Sequence, residues 1–207
     1  MNTGHNRLLR LRDETEAHGV EMVFDRARFD SLARSSPARA VSAFNLFQTP
    51  EPIADRMSAL LAGSLWPDSV VLEPSAGLGR IYHALRKVHG GPVVLAEQSA
   101  DCCRELYALT ENDNAATLKQ GDFLDMDIKA DAVIMNPPFK MGRDIKHIKH
   151  AFEMLKPGGL LVSLCYNGVR QNKKLKPLAT TWEVLPAGSF KSEGTAAEVA
   201  LLTMIKN

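Results

Sequence analysis

Ala132-Val133-Ile134-Met135-Asn136-Pro137-Pro138-Phe139 runs from four apolar residues into an asparagine, two prolines and an aromatic. A strand buried on both faces of a parallel sheet reads as such an unbroken apolar run. The prolines stop it, because each fixes its own φ and neither can donate a ladder hydrogen bond. Asn136 and Phe139 are therefore predicted at the carboxyl end of a central strand, the edge at which open α/β sheets bind ligands.

Those residue types suit one kind of chemistry. An amine conjugated to a ring or carbonyl, such as the exocyclic amine of adenine, is a poor nucleophile because its lone pair is delocalised. Two acceptors set against its two N–H bonds push the nitrogen toward sp³ and free that pair. Asn136 offers a side-chain carbonyl and Pro137 a backbone carbonyl with no competing N–H, while Phe139 gives a planar base an apolar face to stack on. A Pro-Pro turn after a core strand has the same residues, so the flanking sequence must decide.

Upstream, Ser69 to Glu73 reads as a short strand followed by the small-residue loop Pro74-Ser75-Ala76-Gly77-Leu78-Gly79 and a helix with Ile81, Leu85 and Val88 on one face. Such a loop lets backbone N–H groups approach a ligand, and the helix that follows favours an anion at its start. The next strand, Pro92 to Glu97, ends on an acid 18 residues beyond Gly79, the place where a carboxylate in such folds accepts hydrogen bonds from ribose hydroxyls. A third strand, Thr117 to Lys119, leads to Gly121-Asp122-Phe123, which reads either as a ligand contact or as a turn with a buried phenylalanine. Before all of these, Phe47-Gln48-Thr49-Pro50 opens a helix, with Thr49 as cap, Pro50 at the first helical position and Ile53, Met57, Leu60 and Leu61 inward.

Downstream, the helix after Phe139 places Ile145, Ile148, Phe152 and Leu155 inward and stops at Lys156-Pro157-Gly158-Gly159. Strands follow at Leu160–Cys165, Trp182–Leu185 and Glu198–Ile205, making seven in all. Residues 140–150 (Lys140, Arg143, Lys146, Lys149) and the polar loop 170–176 (Arg170, Lys173, Lys174, Lys176) hold eight of the chain's 25 Lys and Arg. Both leave strands at the predicted active edge, which argues for phosphate contacts.

At 207 residues, 45% hydrophobic and 24% charged, the chain suits one globular domain, with no room for a second of any size. The absence of a long apolar run or signal-peptide core predicts a soluble, cytoplasmic protein with no membrane partner. Three cysteines, two of them adjacent, make neither a disulfide framework nor a metal-ligand spacing, so no metal is expected. A formal charge of +1 leaves the partner to be decided by where the basic residues sit. Residues 1–46 read as one or two short amphipathic helices, an N-terminal extension to a catalytic domain over residues 47–207.

Taken together, Phe-x-Thr-Pro, the glycine loop, the acid at Glu97 and Asn-Pro-Pro-Phe resemble the class I S-adenosyl-L-methionine-dependent methyltransferases, and in their order the adenine-N6 DNA methyltransferases of the γ arrangement. The third glycine of a dinucleotide fingerprint is missing, since Arg80, Ile81 and Tyr82 stand there. The resemblance implies a Rossmann-like, mostly parallel seven-stranded sheet with an antiparallel last strand and helices on both faces. It implies cofactor contacts from Phe47, Thr49, Glu73, Ser75, Ala76, Gly77, Gly79, Glu97, Gln98, Asp122, Phe123 and Asn136. It makes Asn136, Pro137 and Phe139 catalytic, and suggests Phe190, between the last two strands, as a second ring against the target base. No segment matches a target recognition domain, which implies little or short-context sequence specificity or a separate recognition subunit. Methyl transfer to adenine in DNA leads. The same transfer to RNA, transfer to a protein glutamine amide and an idle binding module stay open.

Overall fold

A computed structural model describes residues 47–207. The extension expected over residues 1–46 lies outside the described residues. Seven strands form one sheet in the order β3-β2-β1-β4-β5-β7-β6: β1 Val71–Pro74, β2 Val93–Glu97, β3 Ala116–Gln120, β4 Ala130–Met135, β5 Leu155–Tyr166, β6 Thr181–Val184 and β7 Val199–Ile205. β1 to β5 run parallel, and β7 is antiparallel to both β5 and β6. The predicted fold class is what forms.

The unbroken apolar runs follow from a sheet covered on both faces. Val71, Ala132, Ile134, Val162 and Leu164 point into one core with Met57 and Leu61 of α1 (Glu51–Ala62), Ile81 and Leu85 of α2 (Arg80–Arg86) and Leu106 of α3 (Ala100–Thr110). Their neighbours Leu72, Val133, Met135, Leu161 and Cys165 point into the other, with Ile145, Ile148, Ala151 and Met154 of α4 (Arg143–Met154). Alternate residues of one strand thus serve two cores, and no polar face is needed. A short helix α5 (Val169–Lys174) follows β5. None of the described helices is long and apolar enough to cross a membrane.

Some local expectations shift. Pro50 occupies the cap position of α1 in place of Thr49, its carbonyl accepting the N–H groups of Ile53 and Ala54 at 2.9 and 3.0 Å, and Pro52 lies in the first turn. Leu60 is exposed, the inward face being Ala54, Met57, Ser58 and Leu61. Val88 is exposed beyond the end of α2. Residues 170–176 are helical through Lys174 rather than a loop. Phe190, 1% exposed, packs into the first core.

The chain switches direction of winding between β1 and β4, which are adjacent although two strands separate them in sequence. The carboxyl ends of these two strands open a crevice into which the loops after both project, the position where such sheets bind ligands.

Candidate active site

A cleft of about 760 Å³ lies over that crevice, within the size range of cofactor sites. Its wall gathers Phe47, Thr49, Glu73, Ser75, Ala76, Gly77, Glu97, Gln98, Asp122, Phe123, Asn136, Pro137, Phe139, Lys140 and Arg143. Residues spread over nearly a hundred positions of sequence therefore converge on one cavity.

The loop after β1 owes its shape to three left-handed residues, Ser75 (φ 61°), Gly77 (φ 58°) and Gly79 (φ 79°). Gly79 does not line the cleft. It faces α3, where a Cβ would come within 2.5 Å of Leu109 Cδ2, so its role is to let the loop close onto that helix. Glu97 clasps the loop from β2: Oε2 accepts the Gly77 N–H at 2.8 Å and Oε1 the Ser99 N–H at 2.7 Å. Both oxygens keep further acceptor capacity.

Glu73 is the least hydrated acid of the site. It is 1% exposed, and no described residue donates to its Oε2. Burial first, and the nearby Glu97 carboxylate second, push its carboxyl well above the usual range. A buried acid with an unpaired oxygen beside a ligand-sized cleft suits a cationic or hydrogen-bond-donating group. Asp122 is differently placed, its Oδ1 accepting the Leu124 N–H at 3.1 Å and its Oδ2 an Arg143 N–H at 3.2 Å. Arg143 is thereby engaged at the cleft wall.

Asn136 follows the last residue of β4. Its Nδ2 donates to the Phe47 carbonyl at 3.1 Å, which turns Oδ1 the other way. Neither that oxygen nor the Pro137 carbonyl accepts a hydrogen bond from any described residue. Two fixed, unengaged acceptors and the partly buried ring of Phe139 thus stand together at the end of β4.

Sequence reasoning missed His147 and Tyr166, which also line the cleft. His147 is 3% exposed, its Nδ1 lies 3.3 Å from Ser75 Oγ, and its ring packs on Phe123. The available signal was its place on the inward face of α4, where Asp144 and His147 are the polar residues among Ile145, Ile148, Ala151 and Met154. Lys146, Lys149, Arg170, Lys173, Lys174 and Lys176 are exposed and do not line the cleft.

Comparison with known proteins agrees with this architecture. The RNA methyltransferase from Salinibacter ruber, solved with S-adenosyl-L-homocysteine, is 22% identical, with 76% of this chain and 92% of that chain covered at a TM-score of 0.56. A putative RNA methyltransferase from Pyrococcus horikoshii is 18% identical over 86% of this chain and 94% of that one, at 0.64. The M protein of the type I restriction enzyme EcoKI is 18% identical over 80% of this chain and 45% of that one, at 0.63. No curated protein matches the chain by sequence. The family model for the methyltransferase small domain matches residues 49–191, which takes in α1, the glycine loop, Glu97 and Asn-Pro-Pro-Phe. The chain belongs to the methyltransferase small domain family, whose methyl donor is S-adenosyl-L-methionine.

Proposed function

We propose that residues 47–207 form a catalytic domain that transfers a methyl group to the exocyclic amine of adenine in DNA, with little or short-context sequence specificity. The observation that carries this reading is the pair of unengaged acceptors, Asn136 Oδ1 and the Pro137 carbonyl, beside the Phe139 ring. An alcohol or carbon nucleophile has no use for two acceptors on one nitrogen. A conjugated amine does, because hydrogen bonds to both N–H groups strengthen as positive charge develops on it.

The residues present fit the donor. Glu73 offers its unpaired buried oxygen to the ammonium of the methionine portion, Glu97 has acceptor capacity for a ribose diol, and Asp122 with Phe123 offers an acceptor and an apolar ring to the adenine portion. Bound there, S-adenosyl-L-methionine supplies an electrophilic methyl group. Phe47 and Thr49 close the cleft from the start of α1. In a duplex the target amine is inside the base stack, so the base must be extruded to reach Asn136. Lys146, Lys149, Arg170, Lys173, Lys174 and Lys176 are exposed and have no ion-pair partner among the described residues, which suits them to phosphates.

Adenine in RNA is the second reading. It is favoured by the near end-to-end coverage of the Salinibacter ruber RNA methyltransferase and of the Pyrococcus horikoshii protein described as a putative one, where only 45% of the EcoKI M protein is covered. Incubation with labelled S-adenosyl-L-methionine and separate DNA, RNA and protein pools, followed by nucleoside and peptide mass spectrometry, tests both. N6-methyladenine in DNA is expected. Methylglutamine alone, or no product in any pool, refutes the assignment.

A further inference from the structure

The end of β5 is fixed by a buried polar knot to which the chemistry above gives no role. Asp144, 0% exposed, accepts the Tyr166 N–H through Oδ2 at 3.1 Å. Its two oxygens also accept from Nε2 of Gln171, itself 4% exposed, at 3.0 and 2.9 Å. Three elements meet here: the first turn of α4, the last residue of β5 and the first turn of α5. A buried carboxylate needs this many donors to be tolerated, and apolar packing would join three elements with less desolvation. What the knot adds is a defined backbone position for Tyr166.

The side chain of Tyr166 is set with equal care. Its ring lies against Gly168, where a Cβ would come within 2.7 and 2.8 Å of ring atoms Cε1 and Cδ1, so a residue larger than glycine would displace it. Tyr166 lines the same cleft as Asn136 and Phe139 yet is 42% exposed. Met135, the last residue of β4, pairs with Ser163, so Tyr166, three residues further along β5, lies past the end of β4 on the edge where Asn136 and Phe139 stand. An aromatic residue pinned through its backbone, with clearance for its ring at Gly168 and a place in the wall of the cleft, is a preorganised contact for a planar group.

We infer that Tyr166 is a substrate-contacting residue whose ring packs on the planar target base, and that Asp144 and Gln171 are positioning residues that set it. The inference rests on the adenine reading above and adds the surface that selects a flat heterocycle.

The test uses the full chain and an adenine-containing oligonucleotide. KM and kcat are measured for the parent, Tyr166→Ala, Tyr166→Phe, Gln171→Met and the Tyr166→Ala/Gln171→Met pair. Calorimetry with S-adenosyl-L-homocysteine on each variant shows that the fold and the cofactor end are intact. Tyr166→Ala should raise KM for the oligonucleotide about 10- to 100-fold, the range of one lost base–aromatic stack. Tyr166→Phe should recover most of that loss. Gln171→Met should raise KM by a smaller factor in the parent and by nothing further in Tyr166→Ala, because it acts through that ring. An unchanged KM in Tyr166→Ala, with an active parent, overturns this inference and leaves the adenine reading standing. Fully additive effects overturn the positioning role. A parent that methylates no nucleic acid overturns both readings together.

Discussion

Ser75 and His147 meet across the cleft wall, Oγ to Nδ1 at 3.3 Å, and the other ring nitrogen of His147 has no partner among the described residues. Burial first, then the charges of Arg143 and His150, lower the imidazole pKa from 6.5 to about 4, with Asp122 opposing. The unfolded chain takes up this proton near 6.5 and the folded one only near 4, so within that window the unfolded state binds more protons and stability falls as pH falls. His147 should withdraw about 3 kcal/mol of stability by pH 4, none of it lost above the unfolded value. Chemical denaturation between neutral pH and pH 4.5 should show a shallower slope in His147→Gln, by about one proton. Equal slopes would remove His147 as the cause.

Glu97→Ala should weaken cofactor binding by about 2 to 4 kcal/mol, since charge-assisted hydrogen bonds to the ligand are lost and the Gly77 N–H loses its acceptor at the same time. Calorimetry with S-adenosyl-L-homocysteine measures it. Unchanged affinity would mean that the acid serves only to hold the loop.

Asn136→Ala should cut turnover by about two or more orders of magnitude, equivalent to about 2.7 kcal/mol, while cofactor affinity stays close to the parent's. The acceptor acts most strongly as charge develops on the amine, so its loss belongs to the transition state. Single-turnover rates separate this from slow product release, and near-parent rates would eliminate the two-acceptor mechanism.

Neutralising Lys173, Lys174 and Lys176, all exposed on or just after α5, should lower the slope of log affinity for duplex DNA against log salt by about 2 to 3. Cofactor affinity should not change, because none of the three lines the cleft. An unaltered salt slope would place the phosphate grip elsewhere in the molecule.

The fold was largely legible because its signals are local. Ala132–Met135 is apolar at every position since alternate residues feed two cores, and Pro137 and Pro138 mark the strand's end in any surroundings. The wall of the cleft was legible for a related reason, as Glu73, Glu97, Asp122 and Asn136 each stand at or just past the end of one strand. What escaped depends on tertiary neighbours. Phe190 stands in a polar loop and suggests a second ring against the target base, but the β6–β7 connection folds it into the core. Nothing in Tyr166 or Gly168 alone announces that one makes room for the other across two residues. Asp144 and His147 were visible only as polar residues at inward positions of a helix, a pattern that registers once the direction of α4 is known.

The place of β7 in the sheet has a consequence for how the protein is made. β7 is inserted between β5 and β6 and pairs with β5 from Leu160↔Ile205 to Tyr166↔Val199, while β6 has β7 as its neighbour in the sheet. Until Ile205 has left the ribosome, β6 has no strand to join and β5 exposes a long unpaired edge that is apolar on both sides. The nascent chain therefore carries that open edge until β7 has emerged and paired with it. Pairing strands 33 to 45 positions apart is also slow relative to local helix formation, though β1 and β4, paired from Val71↔Ala132, lie further apart still.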